Sequence, residues 1–262
     1  MHEAFNARIE GLDLDLFHTI HSQSTDDDRI AWLAIQRNVR RRAEGYVYLE
    51  IGSHLGGSLQ QHLADHQCRR IYSIDPRPTE QPDERGQVYR YHGNSTKRML
   101  ANLSAVTGSR LDRLTCFDCD VSGIDRSWIQ DAPDFCFIDG EHTAPAVLAD
   151  FEFCLYWCRQ DGVIVFHDDS VILAAIRKIL TSLKSRGIRF TARKCGGSTF
   201  AVFLGDSQVI AESSDGLRWA ADRSIAVSLQ RNIPEWALPV ARHLYRFYRS
   251  LLGGVPVLSS GR

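Results

Sequence analysis

The stretch FCFIDGEHTAPAVLADFEFCLYWCRQDGVIVFHDDS, Phe135 to Ser170, holds two short apolar runs, FCFI and VIVF, each ending in a polar cluster. The first runs into D-G-E-H and the second into H-D-D. The piece between them, APAVLADFEFCLYWC, has the pattern and length of a helix. Short apolar runs without alternation fit strands buried on both faces, as in a parallel sheet. A strand, a helix and a second strand imply a right-handed crossover, which brings both strand ends to one edge of the sheet. Open sheets of this kind bind ligands outside the carboxyl ends of their strands.

The same alternation extends in both directions. YVYLEIG (Tyr46 to Gly52), RIYSID (Arg70 to Asp75) and RLTCFDCD (Arg113 to Asp120) read as strands. SLQQHLADH, NSTKRMLANLSAVTG and SVILAAIRKILTSLKSRG read as helices, the last stopped by Gly187. IRFTARKC and STFAVFLG form an expected hairpin around Gly196-Gly197. PRPTEQPDERG, between the second strand and the next helix, reads as loop. Upstream, STDDDRIAWLAIQRNVRRR opens like a capped helix, with Ser24 or Thr25 as cap and Asp26, Asp27 and Asp28 in the first turn. The expected fold class is α/β, a doubly wound and mostly parallel sheet with a C-terminal antiparallel hairpin. Residues 1–44 are expected as a helical N-terminal extension, 45–205 as the ligand-binding domain, and 206–262 as a mostly helical C-terminal extension.

Composition narrows the function. The chain has 262 residues, 44% of them hydrophobic, and a formal net charge of -1. That is enough apolar content for a sizeable core, without broad attraction for nucleic acid or an anionic membrane. The densest basic run, Arg37 to Arg42, reads as a solvated helix end. The seven cysteines are an odd number, and Cys116, Cys119 and Cys136 sit in or beside apolar runs as small hydrophobes. No basic-then-apolar leader opens the chain and no apolar run approaches the ~20 residues of a membrane span, so a reducing, cytoplasmic setting is expected. The aromatic extensions at both ends make a homo-oligomer plausible.

YVYLEIGSHLGGSLQ places Glu50, Gly52 and Gly56 in the pattern E-x-G-x-x-x-G, with Gly57 next. Such glycines let backbone approach a ligand and expose the amides of the following helix, although an ordinary strand-to-helix turn also uses them. The G-x-G-x-x-G pyrophosphate fingerprint is absent, and Glu50 suits an amino group better than a phosphate. Asp75 ends the second strand, where an acid accepts hydrogen bonds from both hydroxyls of a ribose. Asp118 and Asp120 end the third, where an acid can meet an adenine amino group. Each of these also reads as a solvated loop acid; their joint order is the informative feature.

With these residues the chain resembles the class I S-adenosylmethionine-dependent methyltransferases over roughly Tyr46 to Gly205. YLEIGSHLGGS is similar to their first motif, YSIDPRP to the second, CFDCD to the third and FCFIDGEHTAPAVLADF to the fourth. IDGEH with a later HDD resembles a branch of small-molecule and sugar O-methyltransferases, several of them metal-dependent. The resemblance implies a Rossmann-like fold with the cofactor over the Gly52–Gly57 turn, touching Glu50, Gly52, Ser53, Gly56, Gly57, Ser58 and Asp139. It implies ribose on Asp75, adenine near Asp118 and Asp120, and the methionine part near Asn94 and Ser95, two residues that also suit a helix cap.

The acids after FCFI and VIVF would repel one another unless a cation neutralised them, and oxygen donors suit Mg²⁺ or another hard divalent ion. The resemblance implies Asp139, Asp168 and Asp169 as metal ligands. His142 is the first candidate for the base that removes the acceptor's proton, and Glu141 the second. His142 also reads as a helix-start residue bonded to backbone, the Asp168-Asp169 pair as a helix cap, and His167 as either cleft lining or packing. The expected activity is methyl transfer from S-adenosyl-L-methionine to a hydroxyl of a small molecule, a sugar, polyketide or similar metabolite. A nicotinamide-dependent oxidoreductase and a non-catalytic cofactor-binding protein are the alternatives.

Overall fold

The structure, a computed structural model of the chain, describes residues 2–42, 44–106 and 108–213. Its strands are β1 (Tyr46–Ile51), β2 (Cys68–Ile74), β3 (Glu80–Pro82), β4 (Val88–Arg90), β5 (Leu114–Phe117), β6 (Phe135–Ile138), β7 (Val163–Phe166), β8 (Phe190–Gly196) and β9 (Thr199–Leu204). Its α-helices are α1 (His2–Glu10), α2 (Asp26–Arg42), α3 (Gln60–Ala64), α4 (Thr96–Ser104), α5 (Ala144–Trp157), α6 (Leu173–Ser185) and α7 (Gln208–Ser213). Seven strands form one sheet in the order β5-β2-β1-β6-β7-β9-β8. Only β9 runs against its neighbours; the other pairs are parallel. This is the expected α/β fold, a Rossmann-like doubly wound sheet with an antiparallel edge. The order reverses between β1 and β6, so the ligand-binding crevice belongs above those two strands.

The unalternating strands are buried on both sides. Tyr46, Tyr48, Phe135, Phe137, Val163 and Val165 join one apolar cluster. Val47, Leu49, Cys136, Ile138, Ile164 and Phe166 join the other, against α5 and α6. The first face is covered partly by the N-terminal segment, whose Phe5, Ile9, Phe17, Trp32, Leu33 and Ile35 are buried in that cluster. Each such side chain is worth ~1.5–3 kcal/mol when removed from water.

Register then sets the site. Ile51 pairs with Ile74 and Ile138, Ile74 with Phe117, and Ile138 with Phe166. The residue that follows each of these falls into one row across the carboxyl edge: Asp118, Asp75, Gly52, Asp139 and His167. Neighbouring strands lie only ~4.8 Å apart, so residues spread over half the sequence become neighbours.

Two expectations need correction. The segment expected as loop contains an antiparallel pair, with Gln81 opposite Tyr89, closed by a turn in which Asp83 accepts from the amides of Arg85 and Gln87 at 2.8 and 2.9 Å. The Arg37–Arg42 run is not uniformly solvated, because Arg40 is buried and pairs with buried Asp65 at 2.8 Å. The same carboxylate accepts from Gln36 Nε2 at 3.1 Å and Tyr46 Oη at 3.0 Å. All seven cysteines are free thiols. Most of the expected C-terminal extension, including Trp219, Trp236 and ARHLYRFYRSLL, lies outside the described residues.

Candidate active site

His167, the residue after VIVF, and not one of the two aspartates that follow it, stands level with Asp139. Its Nδ1 lies 3.1 Å from Asp139 Oδ1, and its Nε2 lies 3.0 Å from Ser198 Oγ and 3.6 Å from Asp28 Oδ2. Asp28 has no exposed surface; it accepts from Ser198 N at 2.8 Å and from Thr199 Oγ1 at 2.8 Å while closing the cap with Thr25. Trp32 and Phe137 wall the imidazole. Burial opposes charge on His167, but the carboxylates of Asp139, Asp28 and Asp168 outweigh it and hold the pKa up at about 11. Burial likewise opposes charge on Asp139, and His167 and His142 hold its carboxyl down at about 2. From the sequence Asp28 reads only as a first-turn acid in a helix dipole; its reach to the sheet edge follows from α2 packing against β8.

Asp139, His142 and Asp168 offer ligand atoms that all lie within 4.8 Å of one another. His142 Nε2 is 3.6 Å from an oxygen of each aspartate. It is buried and makes no hydrogen bond. Burial lowers the pKa of His142, but Asp139 and Asp168 raise it more, so the net shift is upward. A position between two carboxylates and an unpaired nitrogen favours positive charge, so the residues present fit a cation. Asp168 holds a left-handed φ of +50°, a conformation costing of order 1–3 kcal/mol that recurs at functional sites. Asp169 is not part of the group. Its carboxylate is buried and takes Lys194 Nζ of β8 at 2.5 Å. Neither aspartate caps α6 through its side chain; that helix begins at Leu173 after Ile172, without a side-chain cap. Glu141 accepts from Thr143 Oγ1 at 2.6 Å in the same turn as His142.

The glycine turn is required by packing of chain on chain. Gly52 has φ +89°, and a Cβ there would lie 2.1 Å from the Asp139 carbonyl oxygen. Side chains at Gly56 or Gly57 would run into Leu103 and Ser22. Glu50 has no exposed surface and sits beneath the turn, taking Tyr48 Oη at 2.7 Å and Ser58 Oγ at 2.6 Å. Burial pushes its carboxyl up to about 8. Ser53 is buried and accepts from Ser73 Oγ at 2.7 Å. Asp75 lines the cleft and accepts from His54 N and Arg77 N, both at 2.8 Å, and from Arg77 Nη1 at 3.1 Å. The same guanidinium reaches Ser73 Oγ at 3.3 Å and stands 3.6 Å from Asp118. Arg77 therefore fills the space between the two acids expected for ribose and adenine. Asp120 is turned elsewhere and caps a short helical turn through Ser122 and Gly123.

Asn94 lines the cleft with its Oδ1 buried and unpaired, while Ser95 caps α4 through Arg98 N. The cleft encloses ≈ 570 Å³ with its open mouth and is also lined by Gln23, His54, Gln81, Tyr89 and Tyr91. Sequence reasoning missed these five. The β3–β4 hairpin supplies three of them and docks on the IDGEH turn: Glu84 N donates to the His142 carbonyl at 3.2 Å, and the Glu84 carboxylate accepts from Ala144 N at the start of α5. The alternation in QVYRY (Gln87 to Tyr91) was the available signal.

Residues 49–168 match a family model described as a methyltransferase domain. No curated protein matches. Among solved structures, the chain is similar to the O-methyltransferase TomG from Streptomyces achromogenes in complex with SAM: 15% identity, 78% of this chain and 88% of that one, TM-score 0.48. It is similar to cofactor-bound Rv0187 from MTB, at 15% identity over 77% and 88% of the chains, TM-score 0.47. It is also similar to an O-methyltransferase from Bacillus cereus in complex with SAH, at 15% identity over 76% and 90%, TM-score 0.45. From the later part of β1 to the first acid after β7, the chain is similar to a methyltransferase domain.

Proposed function

We propose that the protein transfers the methyl group of S-adenosylmethionine to a hydroxyl of a small, polyhydroxylated acceptor. The observation that carries this reading is the row at the sheet edge, which puts the Gly52 turn, Asp75 and the Asp139–His142–Asp168 group into one cleft. Asp75 holds the ribose hydroxyls, and the unpaired Asn94 Oδ1 accepts from the amino group of the methionine part. Tyr89 and Tyr91 offer aromatic faces to the C–H surface of a sugar-like ring, while Gln23 and Gln81 hydrogen-bond its hydroxyls. Asp139, His142 and Asp168 would hold a divalent cation, which when bound would supply Lewis acidity toward the acceptor hydroxyl. Around it the chain orients the nucleophile in line with methyl and sulfur, which by itself supplies a large part of such a rate enhancement. His167, charged and locked between Asp139 and Asp28, holds the Asp139 carboxylate in place. The hydroxyl's proton goes to Glu141 in the IDGEH turn, because His142 Nε2 would be taken by the cation.

The test is incubation of the full chain with S-adenosylmethionine carrying an isotopically labelled methyl group and a panel of sugars, nucleotide sugars and phenols. Labelled methyl ethers of the sugar class, lost in Asp139→Asn, support the proposal. Transfer only to phenols refutes the acceptor class, and no transfer to any hydroxyl refutes the activity.

A further inference from the structure

We infer that the cation site of this chain is a mixed nitrogen–oxygen site, Asp139–His142–Asp168, that selects a borderline transition ion such as cobalt(II) or iron(II) over magnesium. The inference rests on the methyltransferase reading for the role of the ion, but not for its binding.

The obvious third oxygen donor is taken. Asp169 is buried and its carboxylate is held by Lys194 Nζ at 2.5 Å, itself nearly buried. Recruiting Asp169 to an ion would strand that ammonium in the interior without a partner, which is strongly unfavourable. The atom that does face the carboxylates of Asp139 and Asp168 is His142 Nε2. It lies 3.6 Å from each, is buried, and has no hydrogen bond. Two donors 3.6 Å apart can both reach an ion at the usual ~2.1–2.3 Å. The ring is held in that pose from behind: the His142 carbonyl accepts from Glu84 N at 3.2 Å, and the residue forms a bridge with Asp83. Asp139 is held in turn by His167 at 3.1 Å, as outer partners commonly orient a ligand.

The donor set decides the metal. Magnesium takes oxygen ligands and keeps most of its waters, whereas imidazole suits later first-row ions. One imidazole with two carboxylates leaves open positions for an acceptor hydroxyl. With His142 bound to the ion, the acceptor's proton falls to Glu141 in the same turn.

The experiment uses the full chain, stripped with chelator, and three probes: Mg²⁺, Mn²⁺ and Co²⁺. Calorimetry should show Co²⁺ binding at least ~10-fold tighter than Mg²⁺. Electron spin-echo spectroscopy of the Mn²⁺-loaded wild-type protein should show nitrogen bound directly to the ion. His142→Ala should lose that nitrogen signal and weaken Co²⁺ binding ~10–100-fold, while Asp169→Asn, with its fold checked by circular dichroism, should keep both. Mn²⁺ bound with no nitrogen coupling overturns the proposal without recourse to any variant, as does equal or tighter binding of Mg²⁺. If S-adenosylhomocysteine binds but no ion does, the cation site is refuted and the methyltransferase reading stands. If the nitrogen-coupled ion is present and S-adenosylhomocysteine does not bind, the reverse holds.

Discussion

The Arg77 guanidinium lies 3.1 Å from the Asp75 carboxylate, on the acid that the ribose of an adenosyl cofactor would use. Arg77 reaches this position with a left-handed φ of +57° and its side chain is almost fully buried. A ribose diol must displace Nη1 from Asp75, so the cofactor competes with a group of the protein itself. Arg77→Ala is expected to tighten S-adenosylhomocysteine binding about tenfold, equivalent to ~1.4 kcal/mol. Calorimetry on the two proteins measures this. Unchanged or weaker binding in the variant would show that Arg77 supports the cofactor instead of opposing it.

Glu84 ties the β3–β4 hairpin to the start of α5 by accepting from Ala144 N. It acts as a helix cap supplied from a distant part of the sequence. Glu84→Ala should therefore cost ~1 kcal/mol in urea unfolding, as loss of a cap does. It should also raise KM for the acceptor more than it lowers kcat, since Gln81, Tyr89 and Tyr91 ride on the same hairpin. A drop in kcat at constant KM would contradict the docking role.

Asp28 is the inner end of the Asp28–His167–Asp139 line. Asp28→Asn keeps its shape but removes the charge facing a buried imidazolium. A loss of about 3 kcal/mol in folding stability is expected, the scale for breaking a buried charge pair. Chemical denaturation at neutral pH reads this directly; a change below ~0.5 kcal/mol, the level of an ordinary surface substitution, would mean that His167 is neutral.

Asp150 supplies a pH signature away from the cluster. Burial pushes its carboxyl up to about 7, with Asp120 and Glu141 adding to the effect. The folded state therefore binds a proton that the unfolded chain releases near pH ~4. This contribution to stability is fully present below pH ~4 and declines as pH rises toward about 7. Asp150→Asn should be more stable than wild type at pH 8, by on the order of 2 kcal/mol, with the gap closing near pH 4. Parallel stability curves for the two proteins would contradict it.

The strands were legible because burial on both faces writes apolar runs such as FCFI and VIVF without alternation. The meeting of Asp75, Gly52 and Asp139 followed from strand ends alone. Which residue after VIVF would stand level with Asp139 did not, because register is set by pairing across the sheet: His167 takes that place, and Asp169 goes to Lys194, 25 residues later. Glu50 was legible as an acid beside the turn but not as one held beneath it, since Tyr48 and Ser58 meet it only in three dimensions. The hairpin was hidden by the prolines and charges of PRPTEQPDERG, which obey turn chemistry at Asp83–Gly86 while the flanking residues pair. Arg77 stood two positions after Asp75 in plain view; its φ, which folds it back on that acid, is not written in its residue type.

The most direct measurement is a crystal structure of the chain with S-adenosylhomocysteine. The ribose is expected on Asp75 with Arg77 displaced, the adenine beside Asp118, and the sulfur turned toward the Asp139–His142–Asp168 group. Density for the ligand away from the Gly52–Gly57 turn, or Asp75 still held by Arg77 at saturating ligand, would contradict the account.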